Sequence, residues 1–216
     1  MRSLHVRVRK LSKPTLRRLF LFVGLPVASL CLTLILLYVL APVAHSPSPP
    51  TPSTGVVSKA RVVVVVNASP PTRLEIGEIK VSSTIKPVGL TSDGDMAIDD
   101  SIGDVAWYQL GPRPGEKGNA VIAGHYGWKD GEAAVFNDLH TLQAGSEVSV
   151  YDQEGLKVTF VVREIRTYNP EADATEVFRS NDGKAHLNLI TCNGSWNNSL
   201  QTYSTRLVVF TDLKQK

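Results

Sequence analysis

The hydrophobic positions of the chain follow two different patterns. Residues 19–40 form an unbroken run of 22 residues without a charged side chain. At the helical rise of about 1.5 Å per residue such a run spans roughly 33 Å, enough to cross the hydrocarbon core of a bilayer. From residue 73 onward the apolar residues instead form short runs and alternations separated by turn-forming residues. The pattern therefore predicts one N-terminal transmembrane helix followed by a domain built mainly of strands.

Several short strands are predicted within residues 73–216. The apolar or alternating segments lie at 120–123, 146–168, 185–192 and 206–213. A turn at Gln153–Gly155 divides the second of these into a hairpin. Only residues 135–142 and 172–180 have a helical pattern, and both segments are short. Short strands with turn signals between them predict an all-β fold with short helices, arranged as a closed or nearly closed barrel.

The distribution of charge supports the predicted anchor and gives it an orientation. Residues 1–44 contain seven Lys and Arg and no acidic residue, whereas residues 45–216 contain 16 basic and 20 acidic residues. The positive-inside rule places such a basic segment in the cytoplasm and the remainder outside. The apolar run exceeds the ~7–15 residues typical of a signal peptide, so we expect an uncleaved, single-pass anchor in the cell membrane. No basic face for nucleic acid is predicted, because the excess positive charge is confined to the tail.

The same features divide the chain into segments. Residues 45–55 carry four prolines with Ser and Thr, a composition that favours an extended spacer. Val62–Val66 has a strong strand tendency between linker-like flanks, so it is either a first edge strand or part of the spacer. The predicted organisation is a basic cytoplasmic tail at 1–18, a transmembrane anchor at 19–40, a Pro/Ser-rich spacer at 41–72 and an extracytoplasmic domain at 73–216.

The two cysteines of the chain fall in different segments. Cys31 lies in the apolar run and Cys192 is the single cysteine of residues 73–216, so a disulfide-stapled scaffold and a Cys-rich metal site are excluded. A lone thiol outside the membrane is a candidate nucleophile, although buried structural cysteines are also common. We expect Cys192 at the end of a strand over His186–Thr191, followed by a polar loop over 193–199.

Two further residues have the chemistry that a reactive thiol requires. His125 follows the strand at 120–123 within Gly-His-Tyr-Gly and is a candidate base for the thiol. Arg206 opens the last predicted strand, and 13 residues separate it from Cys192. Antiparallel pairing of the two strands would bring Arg206 beside Cys192, where a guanidinium can donate hydrogen bonds to an oxyanion. Each residue alone is more often structural, and their joint placement at strand ends favours a site.

The motifs around these residues resemble those of sortases. The resemblance covers about residues 73–213 and rests on Asn119–Trp128 (NAVIAGHYGW), Phe136–Leu142 (FNDLHTL), the LITC that ends at Cys192, and the RLVVFTDL that begins at Arg206. The family's signature before its nucleophile is Thr-Leu-x-Thr-Cys. This chain has Asn188 in place of the first Thr and retains the Thr next to the cysteine, Thr191.

The resemblance implies an eight-stranded β-barrel and a membrane-anchored cysteine transpeptidase. Such an enzyme cleaves a sorting motif of the Leu-Pro-x-Thr-Gly kind through a thioester, here on Cys192, and transfers the protein to an amine. His125 would be the acid/base, Arg206 would stabilise the oxyanion or orient the substrate, and Thr191 would help to position the sorting-signal peptide. The implied partners are surface proteins that carry a sorting signal and an amine acceptor, either a cell-wall precursor or a pilin lysine.

No cofactor is expected. Some members of the family bind calcium through acidic loop residues. The spacing of Glu171, Asp173 and Glu176 is too weak a signal to predict such a site here.

Two other functions stay open on the sequence. One is a non-catalytic, membrane-tethered β-barrel for binding or adhesion. The other is an L,D-transpeptidase acting on peptidoglycan, which would have a Ser-His-Gly-Cys-x-Arg type of motif, whereas the residues around Cys192 are Ile-Thr-Cys-Asn-Gly. Papain-like hydrolases have the cysteine before the histidine, the reverse of the order found here. The sequence leaves the sorting motif, the acceptor and the choice between housekeeping anchoring and pilus assembly undetermined.

Overall fold

A computed structural model describes residues 68–127 and 131–215 of the chain. The predicted tail, transmembrane anchor and Val62–Val66 lie outside the described residues. Within the described residues no helix has the length and hydropathy needed to cross a membrane. The strands are β1 (Pro71–Ile76), β2 (Val81–Val88), β3 (Val105–Tyr108), β4 (Gly118–Ala123), β5 (Glu147–Asp152), β6 (Lys157–Tyr168), β7 (Ala185–Asn197) and β8 (Thr202–Leu213).

The eight strands close into a single barrel in the order β1-β2-β3-β4-β7-β8-β6-β5, with β5 pairing back onto β1. The pairs β2–β3 and β4–β7 are parallel, and the other pairs are antiparallel. The predicted all-β fold and the eight-stranded barrel are therefore confirmed. Closure gives each of the eight strands two neighbours, so none of them is an edge strand that could template aggregation.

The barrel carries a hydrophobic layer on each side of β4, β7 and β8. Inside it, residues from all eight strands form the main core, including the fully buried Leu74 and Phe160. A second cluster covers the outer face of β4, β7 and β8 and includes Val121, Ile190 and Val208. Because these strands are buried on both faces, their sequences are nearly continuous apolar runs rather than alternations.

The helical segments are shorter than predicted. Of residues 135–142, only Leu139–Thr141 form a 3-10 turn, and of residues 172–180, only Thr175–Phe178 form a helix, α1. Another 3-10 turn lies at Gly77–Ile79. Segments this short gain too few backbone hydrogen bonds to be stable alone, so tertiary packing determines their extent.

The hairpin of β7 and β8 corrects two predictions. β7 continues to Asn197 and β8 begins at Thr202, so Cys192 and Arg206 lie within long strands and not at a strand end and a strand start. The polar residues 193–199 predicted a loop, but residues 193–197 belong to β7, and beyond a bulge Trp196 and Asn197 pair with β8. Trp196 packs across the ladder on Tyr203, with ring centroids 5.1 Å apart. Such cross-strand pairs stabilise strands whose composition is loop-like.

Two buried asparagines attach α1 to the outer face of the barrel. Asn188 of β7 donates a hydrogen bond to the carbonyl of Val177 at 2.7 Å, and Asn119 of β4 donates to the carbonyl of Glu176 at 2.7 Å. Asn188 is only 1% exposed. The amide at position 188, where the signature has Thr, therefore satisfies a carbonyl of α1.

We expect Asn188→Ala to lower the free energy of unfolding by about 1–3 kcal/mol, since a buried donor and its packing are lost. Asn198→Ala, in the exposed β7–β8 turn, should change it by less than about 0.5 kcal/mol. Urea unfolding of the full-length chain, followed by circular dichroism, measures both. Equal stabilities of the two variants would show that the Asn188 amide does not hold α1.

Candidate active site

Cys192 and Arg206 lie directly opposite each other in the antiparallel pair of β7 and β8. Cβ atoms of directly opposed residues are about 4.5–5.5 Å apart. Side chains alternate along a strand, so Cys192 shares the outer face with Ile190, and Arg206 shares it with Val208. Arg206 therefore lies beside Cys192, as predicted. The two residues are paired in the middle of their strands and not at a strand end and a strand start.

His125 reaches the same face through the parallel pair of β4 and β7. Ala123 pairs with Ile190, and the N–H of Gly124 donates to the carbonyl of Ile190 at 3.0 Å. His125 and Cys192 each follow two residues after this pair. His125, Cys192 and Arg206 line one groove of about 760 Å³. The structure thus brings together the three residues that the sequence singled out for catalysis.

Gly124 allows the strand to deliver His125 to this groove. A Cβ atom at this position would lie 2.6 Å from the ring of Phe136 and 2.9 Å from a methyl group of Val135. The N–H of Phe136 in turn donates to the carbonyl of His125 at 2.9 Å. A glycine before the histidine is therefore required by the close approach of residues 135–136.

The imidazole of His125 has a partner that the sequence did not indicate. Its Nε2 lies 2.9 Å from the backbone carbonyl oxygen of Asp99, in the β2–β3 loop of residues 89–104. Only the acidic composition of this loop was visible in the sequence, and composition does not reveal where a backbone carbonyl points.

The guanidinium of Arg206 is buried and held in place by its own hairpin. Its Nη1 donates to the carbonyls of Tyr203 and Thr205 at 3.1 and 3.0 Å, and its Nη2 donates to the hydroxyl of Thr202 at 3.1 Å. Within residues 68–127 and 131–215, no carboxylate forms an ion pair with Arg206, and its buried Nε has no hydrogen-bond partner. A buried cation without a counter-ion favours an anion that forms beside it.

Burial and Arg206 act on the Cys192 thiol in opposite directions. Burial raises the pKa of Cys192 above its usual range, and the nearby charge of Arg206 lowers it by a smaller amount. The resting thiol is therefore mostly protonated at neutral pH, and formation of the thiolate requires a base within the groove.

Thr191 does not face the groove. Its side chain is fully buried, and its hydroxyl donates to the carbonyl of Gly124 at 2.8 Å. Its side chain points to the opposite face of β7 from Cys192, and its predicted part in positioning the sorting peptide stays a prediction. The hydroxyl instead connects β7 to the residue that precedes His125.

Residues that the sequence did not single out form the walls of the groove. Tyr203 makes edge contacts with Tyr126 and Trp196, with ring centroids 5.3 and 5.1 Å apart. Asp93 and Glu171 add carboxylates to the lining. Trp196 lies in the predicted loop at 193–199 and Tyr203 precedes the predicted strand at 206–213, so no strand periodicity indicated either residue.

The acidic residues near the groove are engaged in local structure. Asp173 accepts hydrogen bonds from the N–H and hydroxyl of Thr175, and Glu176 accepts them from Arg166 and Tyr168. Over the described part of the chain, no group of three or more His, Cys, Asp or Glu side chains is arranged to hold a metal ion.

Comparison with known proteins identifies the fold and its relatives. A family model of the sortase domain matches residues 74–214. Sortase C-1 from Actinomyces oris is similar in structure, with 25% identity and a TM-score of 0.52 over 67% of this chain and 74% of that chain. Sortase A from Corynebacterium diphtheriae is 19% identical, with a TM-score of 0.52 over 69% of this chain and 62% of that chain. A Clostridium perfringens sortase D5 transpeptidase is 22% identical, with a TM-score of 0.50 over 68% of this chain and 79% of that chain. A search of curated protein sequences found no match.

We expect Arg206→Ala to raise the pKa of Cys192 further, because it removes the charge that lowers it. Since only the thiolate is alkylated, the rate with iodoacetamide at neutral pH should fall and its pH profile should move to higher pH. Arg206→Lys keeps the charge and should stay closer to wild type. Arg73→Ala removes a guanidinium from β1, which does not pair with β7 or β8, and should leave the profile unchanged. A profile that is identical in Arg206→Ala and wild type would contradict the electrostatic coupling.

Proposed function

The chain belongs to the sortase family of cysteine transpeptidases, and we propose that it attaches surface proteins to an amine acceptor through a thioester on Cys192. The substrate would carry a C-terminal sorting motif of the Leu-Pro-x-Thr-Gly kind, cleaved between Thr and Gly. The observation that carries the proposal is the register of β7 and β8, which pairs Cys192 with the buried Arg206 in the groove that also contains His125.

In the first half of the reaction, the thiol proton of Cys192 passes to His125. The thiolate then attacks the Thr carbonyl carbon of the sorting motif. Negative charge develops on the carbonyl oxygen, and Arg206 stabilises it. As the carbon–nitrogen bond breaks, His125 returns the proton to the departing amine, and the thioester remains on Cys192.

In the second half, an amine attacks the thioester, its proton passes to His125, and Cys192 leaves as a thiolate that is then reprotonated. Attack by water would give hydrolysis instead. The acceptor would be a cell-wall precursor or a pilin lysine. The carboxylates of Asp93 and Glu171 in the groove lining would attract a positively charged amine to this site.

The geometry of Arg206 supports a role at the transition state. Three of its hydrogen bonds are satisfied by its own hairpin, so its position does not depend on the substrate. Its charge meets no carboxylate within the described ranges, so the field at the groove is available to an oxyanion. A preorganised donor of this kind requires little rearrangement during the reaction.

The proposed setting is the outer surface of the cell membrane. The charge-free run of residues 19–40 would anchor the protein, with the basic tail in the cytoplasm. The predicted Pro/Ser-rich spacer would then separate the barrel from the lipid. This arrangement would place the groove where exported proteins with a sorting signal are encountered.

The central test is to incubate the full-length chain with a library of sorting-signal peptides and to detect acyl adducts by mass spectrometry. We expect an adduct on Cys192 that neutral hydroxylamine removes, as it removes thioesters, and no adduct in Cys192→Ala. The proposal fails if no peptide forms an adduct, or if Cys192→Ala cleaves the peptides as well as wild type. The first result would favour a binding or adhesion domain, and the second would mean that cleavage does not use Cys192.

A second test separates the roles of the charged groups. Arg206→Lys should lower kcat by about 10²–10³-fold, because one ammonium does not reproduce the planar fork beside an oxyanion. His125→Ala should lower it by about 10²–10⁴-fold. Arg73→Lys on β1 is the matched control, and circular dichroism verifies folding. Wild-type turnover by Arg206→Lys would mean that positive charge alone is sufficient.

A further inference from the structure

The β2–β3 loop meets the imidazole of His125 with a backbone carbonyl. The Nε2 atom of His125 lies 2.9 Å from the carbonyl oxygen of Asp99. A carbonyl oxygen can only accept a hydrogen bond, so Nε2 must carry the proton in this contact. In a neutral imidazole the other nitrogen, Nδ1, is then unprotonated, because the hydrogen bond at one ring nitrogen determines the tautomer.

The turn that begins at Asp99 is held by a series of local hydrogen bonds that start from the Asp99 side chain. The Asp99 carboxylate accepts the N–H of Ser101 at 2.9 Å, and the hydroxyl of Ser101 accepts the N–H of Gly103 at 3.3 Å. The carbonyl of Gly103 accepts the hydroxyl of Ser83 at 2.7 Å, and Ser83 is a buried residue of β2. The loop turn that presents the Asp99 carbonyl is therefore connected to the barrel.

The same loop is also attached to the segment that follows His125. The N–H of Val135 donates to the carbonyl of Ile102 at 3.0 Å, and the N–H of the next residue, Phe136, donates to the carbonyl of His125 at 2.9 Å. The backbone of His125 and its hydrogen-bond acceptor are thus held in one network. These bonds connect the backbone of His125 to the loop that carries the Asp99 carbonyl.

We propose that Asp99 is a positioning residue that keeps the proton of neutral His125 on Nε2 and so makes Nδ1 the nitrogen that exchanges protons with Cys192 and the substrate. The role in proton transfer rests on the proposed function, whereas the tautomer is a property of the protein alone. The thiol proton of Cys192 passes to Nδ1, and the imidazolium keeps its Nε2–H bond to Asp99. The Nδ1 proton then passes to the departing amine as the carbon–nitrogen bond breaks.

A matched pair of variants separates two effects of the Asp99 side chain, namely the turn that it closes by accepting the N–H of Ser101 and its negative charge. Asp99→Asn removes the charge but keeps an oxygen that can accept the N–H of Ser101, a common local bond of both residue types. Asp99→Ala removes both. The other titratable side chains lining the groove, Asp93, Tyr126, Glu171, Cys192, Tyr203 and Arg206, are unchanged in both variants. A difference between Asp99→Ala and Asp99→Asn therefore reports the turn.

The tautomer is measured by long-range ¹H–¹⁵N NMR of the full-length chain labelled with ¹⁵N-histidine, with the His125 signals assigned by their loss in His125→Gln. We expect the Nε2–H form in wild type and Asp99→Asn, and a mixture of tautomers in Asp99→Ala. Wild-type His125 in the Nδ1–H form would overturn the proposal. So would equal loss of the Nε2–H form in both Asp99 variants.

Kinetics with a sorting peptide test the consequence for proton transfer. We expect kcat of Asp99→Ala to fall about 10–10²-fold with little change in KM, as for a misplaced catalytic group. Asp99→Asn should have a kcat close to that of wild type. The pH profile of kcat should shift in Asp99→Ala only. Unchanged kcat and pH profile in Asp99→Ala would overturn the positioning role.

The two proposals fail in different ways. A chain that processes no sorting peptide but has the expected tautomers would refute the proposed function and leave the assignment of Nε2 intact. An active transpeptidase whose His125 has the Nδ1–H form would refute the positioning role alone.

Discussion

The pairing of β7 with β4 on one side and with β8 on the other is the constraint on which the candidate active site depends. The parallel register with β4 brings His125 to the level of Cys192, and the antiparallel register with β8 places Arg206 directly opposite. Side chains alternate along strands, so a shift of either pair by one residue would turn these groups to opposite faces. The two-sided burial of β7 maintains this register, because a shift would move apolar residues out of both hydrophobic layers.

The site occupies the edge of the outer hydrophobic layer, and this location explains its electrostatics. Cys192 packs against that layer, which raises the pKa of its thiol. Arg206 is buried nearby with its donors directed mainly to backbone carbonyls, and no carboxylate in the described part of the chain forms an ion pair with it. A protonated thiol at rest and an unneutralised cation beside it suit a reaction in which negative charge appears only during attack.

Much of the fold could be predicted from local pattern, and the failures have identifiable causes. The runs at 120–123, 185–192 and 206–213 are mainly apolar because the barrel buries both faces of these strands. This apolar pattern made the strands predictable from the sequence. The extension of β7 to Asn197 was missed because Gly, Ser and Asn predict a loop, whereas the ladder with β8 and the contact of Trp196 with Tyr203 stabilise a strand. The orientation of Thr191 was missed because closeness in sequence to Cys192 was treated as closeness in space. Neighbouring residues of a strand point to opposite faces, so Thr191 faces away from the groove.

The sequence by itself determined which chemical groups the domain at 73–216 contains: one thiol at Cys192, a histidine at 125 within Gly-His-Tyr-Gly, and an arginine at 206 in a strand that can pair with that of the thiol. The tertiary structure decided which of them share a face, that Thr191 does not, and that the carbonyl of Asp99 meets the imidazole. The physical reason is that register and backbone hydrogen bonds depend on contacts between distant segments. A backbone carbonyl is the same in every residue, so its direction is set by the fold and leaves no mark in the sequence.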